Sequence, residues 1–243
     1  MTNPVSVPKA ARSLPMEFPH RELCSEELDF VPITWASTPE GGLVIAGRCD
    51  DDKAPNYTVT TLVAAIGSPG AQRWRATLLP GAERLSGIVN VSLAAASEKE
   101  IYATAWEPFR EPAERQAYLV RFDGKTWQPI ETGLRGGLLG VACDGRGGLW
   151  VTNGEALHRR HDSGFERVAL PPLRFAAPDT RLHLHRVRAF DGELWVEGSY
   201  TLRRSDQRGV ENASVLFGTR RADAPLFCDA KEEADLALYE AQP

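Results

Sequence analysis

Three observations predict an all-β chain built as a small β-propeller of four-stranded antiparallel blades. Short apolar runs recur along the chain at intervals of roughly 45–58 residues, each run follows a tight polar turn, and each is followed by a second strand pair. The runs are Leu43-Val-Ile-Ala-Gly, Ile101-Tyr-Ala-Thr-Ala, Leu149-Trp-Val-Thr-Asn and Leu194-Trp-Val-Glu-Gly. In front of them stand the turns TPEGG, SEKE, DGRGG and DGE, and in front of the turns stand β-rich stretches at Val31–Ser37, Ile88–Ser97, Leu138–Cys143 and His185–Phe190. That layout is a hairpin, repeated.

The second pair of each unit follows the same order. Tyr57–Ile66 leads through SPGA to Gln72–Arg75, and Ala117–Phe122 leads through DGK to Thr126–Ile130. Glu155–Arg160 leads through DSG to Phe165–Val168, and Ala213–Thr219 leads through RADA to Pro225–Phe227. Each closing strand carries an aromatic near its start: Trp74, Trp127, Phe165 and Phe227. The units fall at about 30–80, 86–133, 137–172 and 183–229, within one domain covering 1–243. Segments 1–29 and 230–243 supply candidate closing strands. Five blades are therefore favoured, the last split between the two ends of the chain, with four as the alternative.

The stretch RFDGKTWQPIETGLRGGLLGVACDGRGGLWVTNGEALHRRHDSGFERV is the most regular. Through Phe122-Asp-Gly, Trp127, Gly133-Leu134, Asp144-Gly-Arg-Gly-Gly-Leu-Trp150 and Leu157 it resembles two-component-regulator-type propeller repeats, and it is similar to streptogramin-lyase-type repeats. Its DGKTW turn looks like a degenerate sialidase-type Asp-box. The resemblance implies blade construction. These are turn and anchor residues, so it implies no particular activity.

Composition narrows the function. The 243 residues carry a net charge of −5, which argues against a nucleic-acid or anionic-membrane binder. No stretch approaches the ~18 consecutive apolar residues of a membrane span. The opening residues MTNPVSVPKAARSLPMEFPH lack the apolar core of a secretory signal, so the expected compartment is the cytoplasm. Cys24, Cys49, Cys143 and Cys228 stand far apart without zinc-ligand spacing, and are expected to be reduced, mostly buried thiols. No cofactor is expected.

Alternating strand direction sorts the connections onto two faces. One face holds only short turns. The other holds CDDDKAPN after Arg48, EPFREPAER after Trp106, RRSDQRGVEN after Leu202, and the inter-blade run LRFAAPDTRLH after Pro172. One-sided loop growth marks the binding face of a repeat fold. The candidate binding residues there are Phe109, Arg110, Glu111, Arg203, Arg204, Arg208 and Asp51. Aromatics and arginines are frequent in interaction hot spots. Asp50, Asp51 and Asp52 lack the spacing of a calcium loop and read as a solvated acidic stretch.

These features predict a non-catalytic module that binds a partner protein, as an inhibitor, immunity or scaffold protein, and is itself a monomer or small homo-oligomer. The alternative is a lyase-like or hydrolase-like propeller enzyme using His183 and His185. Their period-two spacing puts both imidazoles on one side of a strand near the channel mouth, where they could hold a metal or act as acid and base. The plainer arrangement has one histidine packed between blades and the other exposed. His158 and His161, three apart on a strand, fall on opposite sides and make a poorer pair.

Overall fold

The computed structural model describes residues 24, 29–50, 61–67, 74–81, 85, 89–108, 110–111, 114–171, 182–190, 193–203, 210–219 and 227–228. They form sixteen strands in four antiparallel sheets of consecutive strands. The first blade comprises β1 (Asp29–Ser37), β2 (Leu43–Asp50), β3 (Thr61–Gly67) and β4 (Trp74–Leu78). The second comprises β5 (Asn90–Ser97), β6 (Glu100–Trp106), β7 (Tyr118–Phe122) and β8 (Trp127–Pro129). The third comprises β9 (Gly140–Cys143), β10 (Leu149–Thr152), β11 (Leu157–His161) and β12 (Gly164–Val168). The fourth comprises β13 (Leu182–Phe190), β14 (Glu193–Arg203), β15 (Val210–Thr219) and β16 (Phe227–Cys228).

The first strand of each blade packs on the first strand of the next: β1 on β5, β5 on β9, and β9 on β13. This is the sequential blade-to-blade packing of a small multi-bladed propeller. Among the described residues no comparable contact joins β13 back to β1. The expected closing strands in 1–29 and 230–243 lie outside the described residues, apart from Cys24 and Asp29.

Two-sided burial explains why strand runs are apolar on successive residues rather than alternately. In β10 all four residues are buried; Leu149 and Val151 pack toward the second blade, while Trp150 packs toward the fourth. In β6, Ile101, Ala103 and Ala105 face the first blade, and Tyr102 faces the third. Three apolar layers thus lie between four sheets. The anchor aromatics add specific links: Trp127 packs on Phe122 at 5.3 Å, and its indole N–H donates to Thr77 Oγ1 of the first blade at 2.8 Å.

The turn before β10 shows why its sequence is DGRGG. Asp144 Oδ1 accepts the backbone N–H groups of Arg146 (2.9 Å) and Gly148 (2.8 Å), and Oδ2 accepts the Trp150 indole N–H at 3.2 Å. Gly147, at φ +88°, takes the left-handed conformation the turn needs. Burial disfavours the Asp144 anion, but these donors and the nearby Arg159 charge outweigh it and hold its carboxyl below the usual value.

The cysteines differ from expectation. Cys24 and Cys49 form a disulfide with Cα atoms 5.7 Å apart, rather than two reduced thiols. It sits in a cluster with Phe30, Ile45 and Ala65 on the side of the first blade turned away from the second. Spacing could not reveal the pairing, because the partners are 25 residues apart and meet only once β1 and β2 pair.

Asp144→Ala is expected to lower the unfolding free energy by about 3 kcal/mol in urea titration, and Asp144→Asn, which keeps an acceptor, by less. Cys24→Ser with Cys49→Ser is expected to cost about 3 kcal/mol, the loop-closure value for a bridge of this span. Equal stability of that double variant and the parent would show that the bridge contributes nothing to the fold.

Candidate functional site

Strand direction places the turns within each hairpin, at 38–42, 98–99, 144–148 and 162–163, on one face. Among the described residues, the connections at 79–81, 107–108, 110–111, 114–117, 130–139 and 153–156 lie on the other. A groove belongs to this second face. It measures about 780 Å³ and runs along the second blade, between Pro80, Gly81 and Leu85, Arg115–Val120 and Pro129–Gly136.

Its walls are held by a few directed contacts. The Arg115 guanidinium stacks over the Trp106 ring at 5.0 Å, donating from Nε to the Arg110 carbonyl (2.8 Å) and from Nη2 to the Pro108 carbonyl (3.0 Å). One side chain therefore links Trp106, Pro108 and Arg110. Gly137 lets the opposite wall approach, since a Cβ there would lie 2.9 Å from the Trp106 Cβ. The Tyr118 hydroxyl donates to the Pro80 carbonyl at 2.9 Å, tying the second blade to the incoming connection. Asn153 Nδ2 donates to the Arg135 carbonyl at 3.1 Å and steadies the far rim. Leu85, Leu119, Val120 and Leu134 provide apolar lining, and exposed Gln116, Glu131 and Arg135 provide polar groups at the margin.

The expected binding residues divide. Arg110 is half-buried and anchored by the Glu107 carboxylate at 2.9 Å, so it is a tethered cation rather than a loose one. Glu111 is exposed beside it. Arg203 ends β14, in register with Val210. Phe109, Asp51, Arg204 and Arg208 lie outside the described residues. Arg115, the organising residue of the groove, is one that sequence reasoning passed over. Its signal was faint: an arginine nine residues past Trp106, across a loop whose folding-back no local pattern announces.

His183 and His185 sit on β13, and both are exposed; neither packs between blades. A bulge between Leu184 and Arg186 leaves His185 as the extra residue. Leu184 and Val187 point into the core, while His183, His185, Arg186 and Arg188 share the outer side with Ser199 and Glu197 of β14. His185 Nε2 and Ser199 Oγ are 2.7 Å apart. Among the described residues no group of three metal-ligating side chains comes together.

A second cavity, of about 490 Å³, opens on the short-turn face. It is lined by Ser37–Pro39, Ala95, Ala96, Cys143–Arg146 and Ala189, with contributions from all four blades. It marks the axis. Burial, with the Glu100 and Asp144 carboxylates nearby, pushes the free Cys143 thiol there up to about 12, which disfavours its thiolate.

No protein-family model matches the chain, and no curated protein matches its sequence. Among solved structures it is similar to the extracellular domain of a hybrid two-component system from B. thetaiotaomicron, at 12% identity and TM-score 0.39, over 84% of this chain and 34% of that one. It is also similar to the extracellular domain of a one-component system from the same organism, at 13% identity and TM-score 0.40, over 85% and 34%. A mannose phosphorylase from Leishmania mexicana matches at 14% identity and TM-score 0.33, over 79% and 64%. The chain spans about a third of the length of the two bacterial domains. The resemblance is distant and partial, and identifies no specific family.

The expected cytoplasmic location is corrected here. The Cys24–Cys49 disulfide is a bond of the kind oxidising compartments maintain.

His158 supplies a pH test of the interior. It is buried on β11, and its Nδ1 has no hydrogen-bond partner among the described residues. Burial, and then the Arg167 charge, lower its pKa. The unfolded chain therefore takes up the proton first, so stability is complete above the ordinary histidine value of ~6.5 and declines as pH falls below it. His158→Leu is expected to flatten the fall in melting temperature between pH 7.5 and pH 5. An unchanged slope would place the acid sensitivity elsewhere.

Proposed function

We propose that this chain is a non-catalytic binding module that engages a partner protein through its long-connection face. The groove on the second blade would receive an extended segment of that partner. The reading is carried by the groove itself, roughly 780 Å³ with mixed polar and apolar walls, held in shape by Arg115 and Tyr118. A site whose walls are already fixed by internal contacts loses little conformational freedom on binding. Arg110 and Glu111 extend the same face with one tethered cation and one exposed carboxylate.

Glu131→Arg with Arg135→Glu reverses both charged positions on the margin without touching a buried contact. Recovery of a co-purifying protein should fall at least about tenfold, with the melting temperature unchanged. Arg146→Glu, on the opposite face, should leave recovery intact. Equal recovery from both variants would remove the groove from consideration.

The enzyme reading keeps one specific observation, the His185–Ser199 contact. A hydroxyl within hydrogen-bond reach of an imidazole is the geometry of an activated nucleophile, provided a third group orients the base. Among the described residues no group pairs with the other ring nitrogen. Covalent labelling of Ser199 by a fluorophosphonate, abolished by His185→Ala, is what this reading requires. Absence of labelling would leave the pair as a surface hydrogen bond.

A further inference from the structure

The groove on the second blade has two unlike ends. Beyond β8 the chain keeps running antiparallel to β7: Val120 pairs with Pro129, and the Ile130 N–H donates to the Leu119 carbonyl at 2.9 Å. Further along, a Cβ at Gly137 would lie 3.3 Å from the Arg115 Cβ. As one wall proceeds from 129 to 137, the other therefore returns from 120 to 115. Val120, Pro129 and Ile130 gather at one end of the groove, and Arg115 and Arg135 at the other.

The cationic end lacks a counter-ion. Arg115 Nε and Nη2 donate to main-chain carbonyls, which hold the guanidinium without neutralising it. Among the described residues Nη1 has no acceptor, and no carboxylate pairs with Arg115 or Arg135. Glu131 is the carboxylate of the described lining, and it stands beside Ile130, toward the apolar end. Glu107 is engaged by Arg110, and the exposed Glu111, Glu114 and Glu155 lie outside the lining. The described lining thus carries two cations against one carboxylate. A half-buried guanidinium gains most from an acceptor that is itself charged, and it meets a carboxylate through two parallel hydrogen bonds. The chain's net charge of −5 opposes an acidic ligand, but exposed charges are screened beyond ~8 Å at physiological salt, so the local pair of arginines decides.

We propose that the segment received by this groove carries an aspartate or glutamate side chain seated on Arg115 and Arg135, with an apolar residue laid against Pro129 and Ile130. This rests on the groove being the binding site. The two ends then select the spacing between the acidic and the apolar residue as well as their presence. An acid without its apolar neighbour, or the reverse, fills only half of the groove.

The test selects a displayed library of random linear peptides on the full chain, and resynthesises the enriched sequences with acetylated and amidated ends. Enriched peptides should share one Asp or Glu at a fixed spacing from an apolar residue. Replacing that acid by its amide should weaken binding about tenfold or more. Binding should also fall several-fold near 1 M salt, where screening shortens to ~3 Å. Arg135→Gln, at an exposed position, should weaken binding several-fold with the melting temperature unchanged. Arg115→Lys should weaken it too, because an ammonium cannot form the paired hydrogen bonds. Pro129→Glu, at the apolar end, should weaken it independently of the acid. Peptides sensitive to Pro129→Glu but indifferent to their own acid would overturn the carboxylate and leave the groove reading standing. Peptides indifferent to all three variants would remove both. A library without binders, or binders that need a free C-terminal carboxylate, would also overturn the proposal.

Discussion

Each blade of this protein has two faces to cover and, among the described residues, no helix to cover either. A four-stranded sheet standing alone would expose apolar side chains on at least one side, and fixing its backbone costs ~1–2 kcal/mol per residue. Stacking sheet on sheet removes the problem for every internal face at once. The consequence is visible in β10, where Leu149, Trp150, Val151 and Thr152 are all buried because each side of the strand has a neighbouring blade. It is visible again in β6, whose side chains divide between the first and third blades. The remaining features, turns, anchor aromatics and grooves, are arranged around this mutual coverage.

Such an architecture separates construction from recognition. The short turns are stiff, hydrogen-bonded devices: Asp144 organises the turn before β10, and Asp123 accepts the Lys125 and Thr126 amides in the turn before β8. The connections on the other face are more varied, though Asn153 likewise accepts the Glu155 and Ala156 amides in the turn before β11. There the groove is shaped by side chains that fold back onto the connections, above all Arg115 on Trp106. Blade construction and connection surface are therefore free to change independently, which is why a resemblance between blades says little about function.

The strands were largely legible because hairpin turns and apolar runs are local signals. Expected Val31–Ser37 is observed as Asp29–Ser37, and expected Leu138–Cys143 as Gly140–Cys143. What escaped was non-local. The Cys24–Cys49 bridge depends on strand pairing, and Arg115 acquires its role only when its loop closes on Trp106. The two exposed histidines illustrate a subtler limit. Period-two counting put both on one side of β13, which holds, but the bulge that sends Arg186 to that side as well has no mark in the sequence. Loop lengths distinguish the two faces in the sequence; the shape of the groove depends on tertiary contacts.

The disulfide has a mechanical meaning. Cys24 and Cys49 enclose all of β1 and nearly all of β2 in a covalent loop. Tension applied to the chain ahead of Cys24 passes through the sulfur atoms directly to the far end of β2 and bypasses the hairpin between them. The innermost strand of the first blade is thereby shielded from peeling by its own leading segment. A pull from that side meets the register of β2 on β3, loaded in shear along the strands, before it can reach β1.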